Sequence, residues 1–262
     1  MYQFFIEENQ LVGDRISILG SDVNHIKNVL RMKNGEHVRV SISDSGRSFF
    51  GTIESLLEDE VLVQVEKEDE AGTELSNKIY LFQGLPKGDK MELIIQKAVE
   101  LGVYEIIPVA MKNCVVKLDD KKAASKVKRW QAISESAAKQ SKRTLIPQIQ
   151  MPMTWKNALK KAENVDIVLV PYENERGMDA TREVLQNIKR GQSIAIFVGP
   201  EGGFSPEEIE QIAPQDLFNE LSVDENVAST SKVCRISLGK RILRTETAGL
   251  ATLSMLVFCL DE

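Results

Sequence analysis

Short runs that alternate apolar and polar residues fill the N-terminal quarter of the chain: Gln3 to Ile6, Arg15 to Ile18, His37 to Ile42, Phe49 to Ile53 and Val61 to Val65. Alternation at period two places successive side chains on opposite faces of a half-buried strand. Asn34-Gly35 and Asp44-Ser45-Gly46 supply turns between these runs. Together they predict a small barrel or curled sheet, with one short helix around His25 to Leu30. The stretch Glu66 to Thr73 has no apolar periodicity and reads as a linker. The expected domains are therefore residues 1–72 and 73–262.

Beyond Lys78 the pattern changes to continuous apolar runs separated by amphipathic segments, the signature of an α/β domain with a mostly parallel sheet. Strands are expected at Ile79 to Phe82, Tyr104 to Val109, Asp166 to Val170, Ile194 to Val198 and Val233 to Ser237. Asp89 is placed to cap a helix whose apolar face carries Met91, Ile94, Ile95, Ala98, Val99 and Leu101, with Gly102 as its stop. A long helix is expected over Asp120 to Ser141, with Val127, Trp130, Ile133 and Ala137 on one stripe. Its cations Lys121, Lys122, Lys126, Lys128 and Arg129 suit either a solvated face or an RNA-facing one, and Lys139, Lys142 and Arg143 add to the second reading. No internal repeat is present.

Two loops after strands carry the candidate chemistry, because open α/β sheets bind ligands beyond the carboxyl ends of their strands. The first is Gly199-Pro200-Glu201-Gly202-Gly203-Phe204, followed by Ser205-Pro206-Glu207-Glu208. Ser205 as N-cap, Pro206 at the first helical position and Glu208 three residues on predict a helix start with a capping box. Glycines admit a ligand to the backbone, so the loop is either a binding site or a plain tight turn. Neither a GxGxxG fingerprint nor a GxxxxGK[ST] loop occurs in the chain. The second loop runs from Leu238 to Ala248 and holds Lys240, Arg241 and Arg244 with Glu246, ahead of an apolar helix Ala248 to Leu260. Thr245 is its expected cap, and Glu246 suits a helix start whether or not it belongs to a site.

Composition narrows the classes further. The 262 residues are 42% hydrophobic and 27% charged, enough for one large or two modest globular domains. No run is long enough for a membrane helix, and the N-terminus has neither a basic region nor a cleavage signature, so a cytoplasmic protein without membrane contact is expected. Three cysteines without a CxxC pair argue against disulfides and zinc, and are expected to be buried thiols. With only His25 and His37, a histidine base or a histidine-rich metal site is confined to the N-terminal part, and no metal is expected. The net charge of -6 hides a strong asymmetry: residues 1–72 carry -7, whereas Lys117 to Arg143 carries +6. A basic surface for nucleic acid is available in spite of the acidic total.

The two loops together, Val198 to Ser205 and Leu238 to Ala248, resemble the signature of the bacterial 16S ribosomal RNA (uracil-N3) methyltransferases of the SPOUT superfamily. Leu85-Pro86-Lys87-Gly88-Asp89-Lys90-Met91-Glu92, Gln96 to Val103 and Ala137 to Arg143 are similar to further segments of that family, and His25-Ile26 with Val29-Leu30-Arg31 to its N-terminal domain. The resemblance covers nearly the whole chain. It implies an N-terminal PUA-like β-barrel and a C-terminal SPOUT α/β domain with a trefoil knot that binds S-adenosylmethionine. It also implies a homodimer whose substrate is a uridine of 16S rRNA in the small ribosomal subunit.

By the same resemblance the cofactor residues are Pro171, Tyr172, Gly199, Pro200, Glu201, Gly202, Leu238, Gly239, Ile242 and Leu243. Arg244 or Arg241 would stabilise the uracil anion, and Glu246 or Glu201 is the candidate base. Arg31, Arg241, Lys121, Lys122, Lys128 and Arg129 are the expected RNA contacts. Two departures stand out: Gln3 lies where the family often has Arg, and the chain is longer between Ile212 and Leu238, with a polar stretch Ser222 to Lys232 read as a mobile or functional loop. A non-catalytic RNA-binding or ribosome-assembly protein of the same fold, or an enzyme binding a phosphorylated ligand at the Ser205 helix start, remains compatible with these residues.

Overall fold

The computed structural model describes residues 1–43, 45–175, 177–214 and 232–261. The chain divides into two compact units, Met1–Glu74 with Glu135–Ile146, and Leu75–Ser134 with Pro147–Glu262. Most of the polar stretch Ser222 to Lys232 lies outside the described residues.

In the first unit, strands β1 (Tyr2–Ile6), β2 (Leu11–Val12), β3 (Arg15–Leu19), β4 (His37–Ile42), β5 (Ser48–Leu56) and β6 (Glu60–Glu68) form one sheet in the order β1-β4-β5-β6-β3-β2. β1 pairs with β4 in parallel and the other neighbours are antiparallel. The pairing path keeps β1 and β2 as edges, so the sheet curls into a half-barrel. Alternate residues Phe4, Ile6, Ile16, Ile18, Val38, Val40, Val61 and Val63 fill its core, as period two requires. The expected short helix is a single turn α1 (Ser21–Asn24) that continues as a π-turn over His25–Val29. β6 runs to Glu68, three residues into the acidic stretch read as linker.

A buried polar layer lies among β1, β4 and residues 135–146. Gln3 is buried: its Nε2 donates to Ser41 Oγ at 3.2 Å and to the Arg143 carbonyl, and its Oε1 accepts from Arg39 at 3.2 Å. Arg39 also pairs with Asp69 at 2.6 Å. Arg143 is buried against Glu74, which in addition accepts the Thr144 N–H at 2.8 Å. Lys139 pairs with Asp22 at 3.0 Å, and Lys142 Nζ donates to the Met1 carbonyl at 2.8 Å. This corrects the expectation that Lys139, Lys142 and Arg143 reinforce an RNA face. Each of these cations is bonded within its own unit; Arg143 is buried and needs its partner most, whereas Lys139 and Lys142 are half-buried.

The second unit holds β7 (Lys78–Gly84), α2 (Lys90–Glu100), β8 (Glu105–Ala110), α3 (Asp120–Ser141), β9 (Gln148–Ile149), β10 (Met153–Thr154), α4 (Trp155–Ala162), β11 (Ile167–Pro171), α5 (Asp179–Gln186), β12 (Ser193–Val198), α6 (Pro206–Ile212), β13 (Lys232–Ile236) and α7 (Thr245–Leu260). The last seven residues of α3 belong to the first unit. The parallel sheet runs β10-β8-β7-β12-β11-β13, with β9 also on β8. Phe82 and Phe197 stack at 4.3 Å in one cluster with Ala158 and Ala162 of α4 and Ile209 and Ile212 of α6. Residues of the other parity, Leu81 and Val198, lie against Gly249 of α7.

Several local expectations are corrected. Asp89 occupies the N-cap of α2, but its side chain accepts no capping bond. α7 begins at Thr245 with Arg244 as N-cap, so Thr245 is the first helical residue and its hydroxyl serves elsewhere. Along α3, Ala123, Trp130, Ser134, Ala137 and Ala138 are buried, whereas Val127 and Ile133 are only half-buried. Of the cysteines only Cys234 is buried; Cys114 is half-buried and Cys259 exposed.

Candidate functional site

Because β8 lies on one side of β7 and β12 on the other, chain order reverses at the middle of the sheet, the position where open α/β sheets leave a crevice beyond their strand ends. A cleft of about 410 Å3 opens there. Its walls come from the ends of β11, β12 and β13: Pro171 and Tyr172, then Gly199, Pro200 and Glu201, then the loop from Leu238 to Arg244.

The first loop is fixed at both ends. Ser205 caps α6, accepting the Glu208 N–H, while Glu208 accepts the Ser205 N–H at 2.8 Å and the Lys112 N–H at 2.7 Å, so the expected capping box is present. Asn113 Nδ2 donates to the Gly202 carbonyl at 3.0 Å. Glu207 is held down to about 2 by its own backbone N–H, by Lys112 and by the Ser205 hydroxyl. With two carboxylates in its first turn, the α6 start is already supplied with negative charge, which disfavours the phosphate-ligand reading.

Buried hydrogen bonds tie this loop to the second. Gln83 is fully buried at the end of β7, and its Nε2 donates to Thr245 Oγ1 at 2.9 Å. The Thr245 hydroxyl donates in turn to the Gly199 carbonyl at 2.6 Å. Ser237 and Thr181 exchange two bonds, 2.9 and 3.1 Å, and Ser237 Oγ accepts the Gly239 N–H at 3.2 Å. Gly239 has φ +101, a conformation that side chains resist.

A third connection is ionic. Lys90 Nζ lies 2.9 Å from Glu201 Oε1 and 3.4 Å from Glu246 Oε2. Its hydrogen bond to Glu201 holds Lys90 above the ordinary lysine value. Burial works against ionisation of Glu201, but Lys90 and the Lys87 N–H outweigh it and hold its carboxyl below the usual range. Glu246 Oε2 is closed to solvent without a hydrogen-bond partner.

The structure therefore gathers Pro171, Tyr172, Gly199, Pro200, Glu201, Leu238, Gly239, Ile242 and Leu243 around one cleft, with Arg241 and Arg244. Gly202 turns away from it toward Asn113, and Glu246 stands behind Lys90. Lys121, Lys122, Lys128 and Arg129 are exposed on α3 outside the cleft lining, with Lys122 paired to Asp119 and Arg129 to Glu92. Arg31 is exposed in the other unit at φ +54. Sequence reasoning missed Lys90, Gln83 and Gly84. The spacing of Lys90 within Lys87-Gly88-Asp89-Lys90 carried no signal of its partners.

Residues 73–257 match a family model described as an RNA methyltransferase domain, and residues 18–66 one described as an RNA methyltransferase PUA domain. The chain belongs to the RNA methyltransferase family. The ribosomal RNA small subunit methyltransferase E of Bacillus subtilis is 36% identical to this methyltransferase, covering 98% of this chain and 96% of its own. The structure of the Neisseria gonorrhoeae ribosomal RNA small subunit methyltransferase E bound to S-adenosyl methionine superposes with a TM-score of 0.77 at 29% identity, covering 99% of this chain and 98% of that one. A Legionella pneumophila putative methyltransferase in complex with the same cofactor gives 0.78 at 29% identity, covering 98% and 97%. Among the described residues of the methyltransferase no helix is long and apolar enough to cross a membrane, and no group of side chains could hold a metal ion.

Gly84 tests how closely the loops must approach. A Cβ there would come within 2.7 Å of Pro200 N and Cδ. Gly84→Ala is expected to lower stability in urea by about 1–3 kcal/mol, an overpacking cost, and to weaken S-adenosylmethionine binding in calorimetric titration. Unchanged binding would show that Pro200 does not shape the cleft.

Proposed function

We propose that this enzyme transfers the methyl group of S-adenosylmethionine to N3 of a uridine in the 16S RNA of the small ribosomal subunit, in the cytoplasm and as a homodimer. The observation that carries the reading is the cleft itself, walled by two glycine-bearing loops at the switch point of a sheet in an RNA methyltransferase. Its size falls within the range of about 300–1,000 Å3 usual for small-molecule sites. The residues suit the cofactor: apolar Pro171, Ile242 and Leu243 can cover an adenosine, and the backbone groups of Gly199 and Gly239 stand where no phosphate-binding loop is needed. The reading includes the trefoil knot, supported by the path of the loop after edge strand β13 back to Gly199 through Thr245.

When bound, the sulfonium supplies an activated methyl group. The protein must bring N3 into line with it and assist loss of the N3 proton, because the neutral imide nitrogen is a poor nucleophile. Arg244 is placed for the second task. It is exposed at the N-cap of α7, where the positive end of the helix adds to its own charge, so it can stabilise a uracil anion by about 3 kcal/mol. Glu201, in the cleft wall, and Glu246, behind Lys90, are the carboxylates at hand for the proton. Arg241 at the cleft and Arg31, Lys121, Lys122, Lys128 and Arg129 away from it would hold RNA phosphates. Leu93 on α2 and Phe258 on α7, both exposed, offer an apolar face for self-association.

Arg244→Ala is expected to lose methyl transfer to unmethylated small subunits while S-adenosylmethionine affinity changes little; loss of both together would make it a cofactor or structural residue. The RNA face is tested by Lys121→Ala with Lys128→Ala, two exposed cations of α3 that have no ion pair among the described residues. Their removal should flatten the log affinity against log salt slope by about 1.4–1.8, and an unchanged slope would return the helix to a solvated role. Phe258→Asp should convert dimer to monomer in sedimentation velocity; a dimer that persists would place the interface elsewhere.

A further inference from the structure

Charges around the cleft are held in two different ways. Lys240, Arg241 and Arg244 stand exposed on the loop before α7 without an ion pair among the described residues. Lys90 is anchored instead, with its ammonium between Glu201 and Glu246, 2.9 and 3.4 Å away. The three groups come from three separate segments: the first turn of α2, the Gly199 loop and the first turn of α7. Two carboxylates and one ammonium give the cluster one net negative charge, with Lys90 and Glu201 in the cleft lining and Glu246 behind Lys90. Glu201 Oε1 takes both the Lys90 and Lys87 donors. Glu246 Oε2 is closed to solvent and faces the Lys90 ammonium at 3.4 Å, so its charge acts together with that of Lys90.

We infer that the Glu201, Lys90 and Glu246 cluster discriminates the cationic cofactor from its uncharged product, with Glu246 and Lys90 acting in opposite senses. The inference rests on the S-adenosylmethionine reading of the cleft. In methyl transfer the S–CH3 bond breaks and its electron pair stays on sulfur. N3 forms the new bond to carbon and gives up its proton. The cofactor therefore loses its sulfonium charge and becomes a neutral thioether, S-adenosylhomocysteine. The net negative charge of the cluster favours the first and does nothing comparable for the second, so the cluster contributes less to holding the product than the cofactor. Lys240, Arg241 and Arg244 oppose this effect from the same cleft, but they are unchanged in variants of the cluster, so a change in the ratio of the two affinities reads the cluster alone. Of the other cleft carboxylates, Glu173 is exposed and Glu175 is paired with Arg235 at 3.9 Å, so neither adds appreciably to the charge of the cluster.

The test is calorimetric titration of the full chain with S-adenosylmethionine and, separately, S-adenosylhomocysteine, for the parent and for Glu246→Gln, Lys90→Met and Lys90→Arg. Glu246→Gln should lower the ratio of the two affinities about tenfold, and Lys90→Met should raise it about tenfold. Lys90→Arg should keep the parent ratio within about twofold, since the charge is retained. High salt should shrink both shifts. A merely structural cluster would weaken both ligands equally, so an unchanged ratio in Glu246→Gln and Lys90→Met overturns the inference while leaving the cofactor reading intact. Absence of binding of either ligand to the parent protein overturns the cofactor reading and the inference with it. Should Glu246→Gln fail to fold, the upward shift in Lys90→Met alone decides.

Discussion

The fully buried side-chain amide of Gln83 constrains everything at the carboxyl edge of the sheet. A buried amide that donates nothing costs more than a hydrogen bond returns, so Gln83 must find acceptors, and it finds them in Thr245 and the Gly84 carbonyl. Thr245 passes the constraint to Gly199. Three segments far apart in the chain are thereby held at one point, and the cleft is the space their loops leave between them. The absence of a Cβ at Gly84 is part of the same arrangement, because Pro200 occupies the room it would need.

Around this neutral chain of hydrogen bonds the protein places its charges in graded environments. Glu208 is buried and saturated by the backbone N–H groups of Ser205 and Lys112, so it fixes loop shape. Lys90, Glu201 and Glu246 are part-buried and share each other. Lys240, Arg241 and Arg244 are exposed and, among the described residues, have no ion pair. Desolvation explains the gradient: the deeper a charge lies, the more of its interactions the fold must supply, and the exposed cations retain theirs for a ligand.

The first unit follows the same rule with a different outcome. Its core is apolar and alternating, yet the other side of β1 and β4 is a polar layer of Gln3, Ser41, Ser48 and Arg39. Residues 135–146 complete that layer, with Arg143 on Glu74 and Lys139 on Asp22. A segment that looks like a basic RNA patch in the sequence is thus partly an internal strut. Gln3 is buried inside this layer and is not displayed at the surface.

Patterns that rest on neighbours a few residues apart were legible in the chain itself. The period-two runs became β1 and β3 to β6, the Ser205-Pro206-Glu208 start became α6 with its capping box, and the helix over Asp120 to Ser141 has those same bounds. The loops of the cleft were legible as well, through their glycines and their resemblance to a known signature. Whether a polar side chain serves its own turn or a distant one was not. Thr245 could have capped α7, but its hydroxyl goes to Gly199 and receives Gln83, 162 residues away in the chain. Lys90 reads as one more surface lysine until Glu201 and Glu246 are brought beside it. Periodicity and capping are energies of adjacent residues, which any window of the sequence contains. The choice of partner for a buried or half-buried polar group is set by what the folded chain places within about 3 Å of it, and only the tertiary structure decides that.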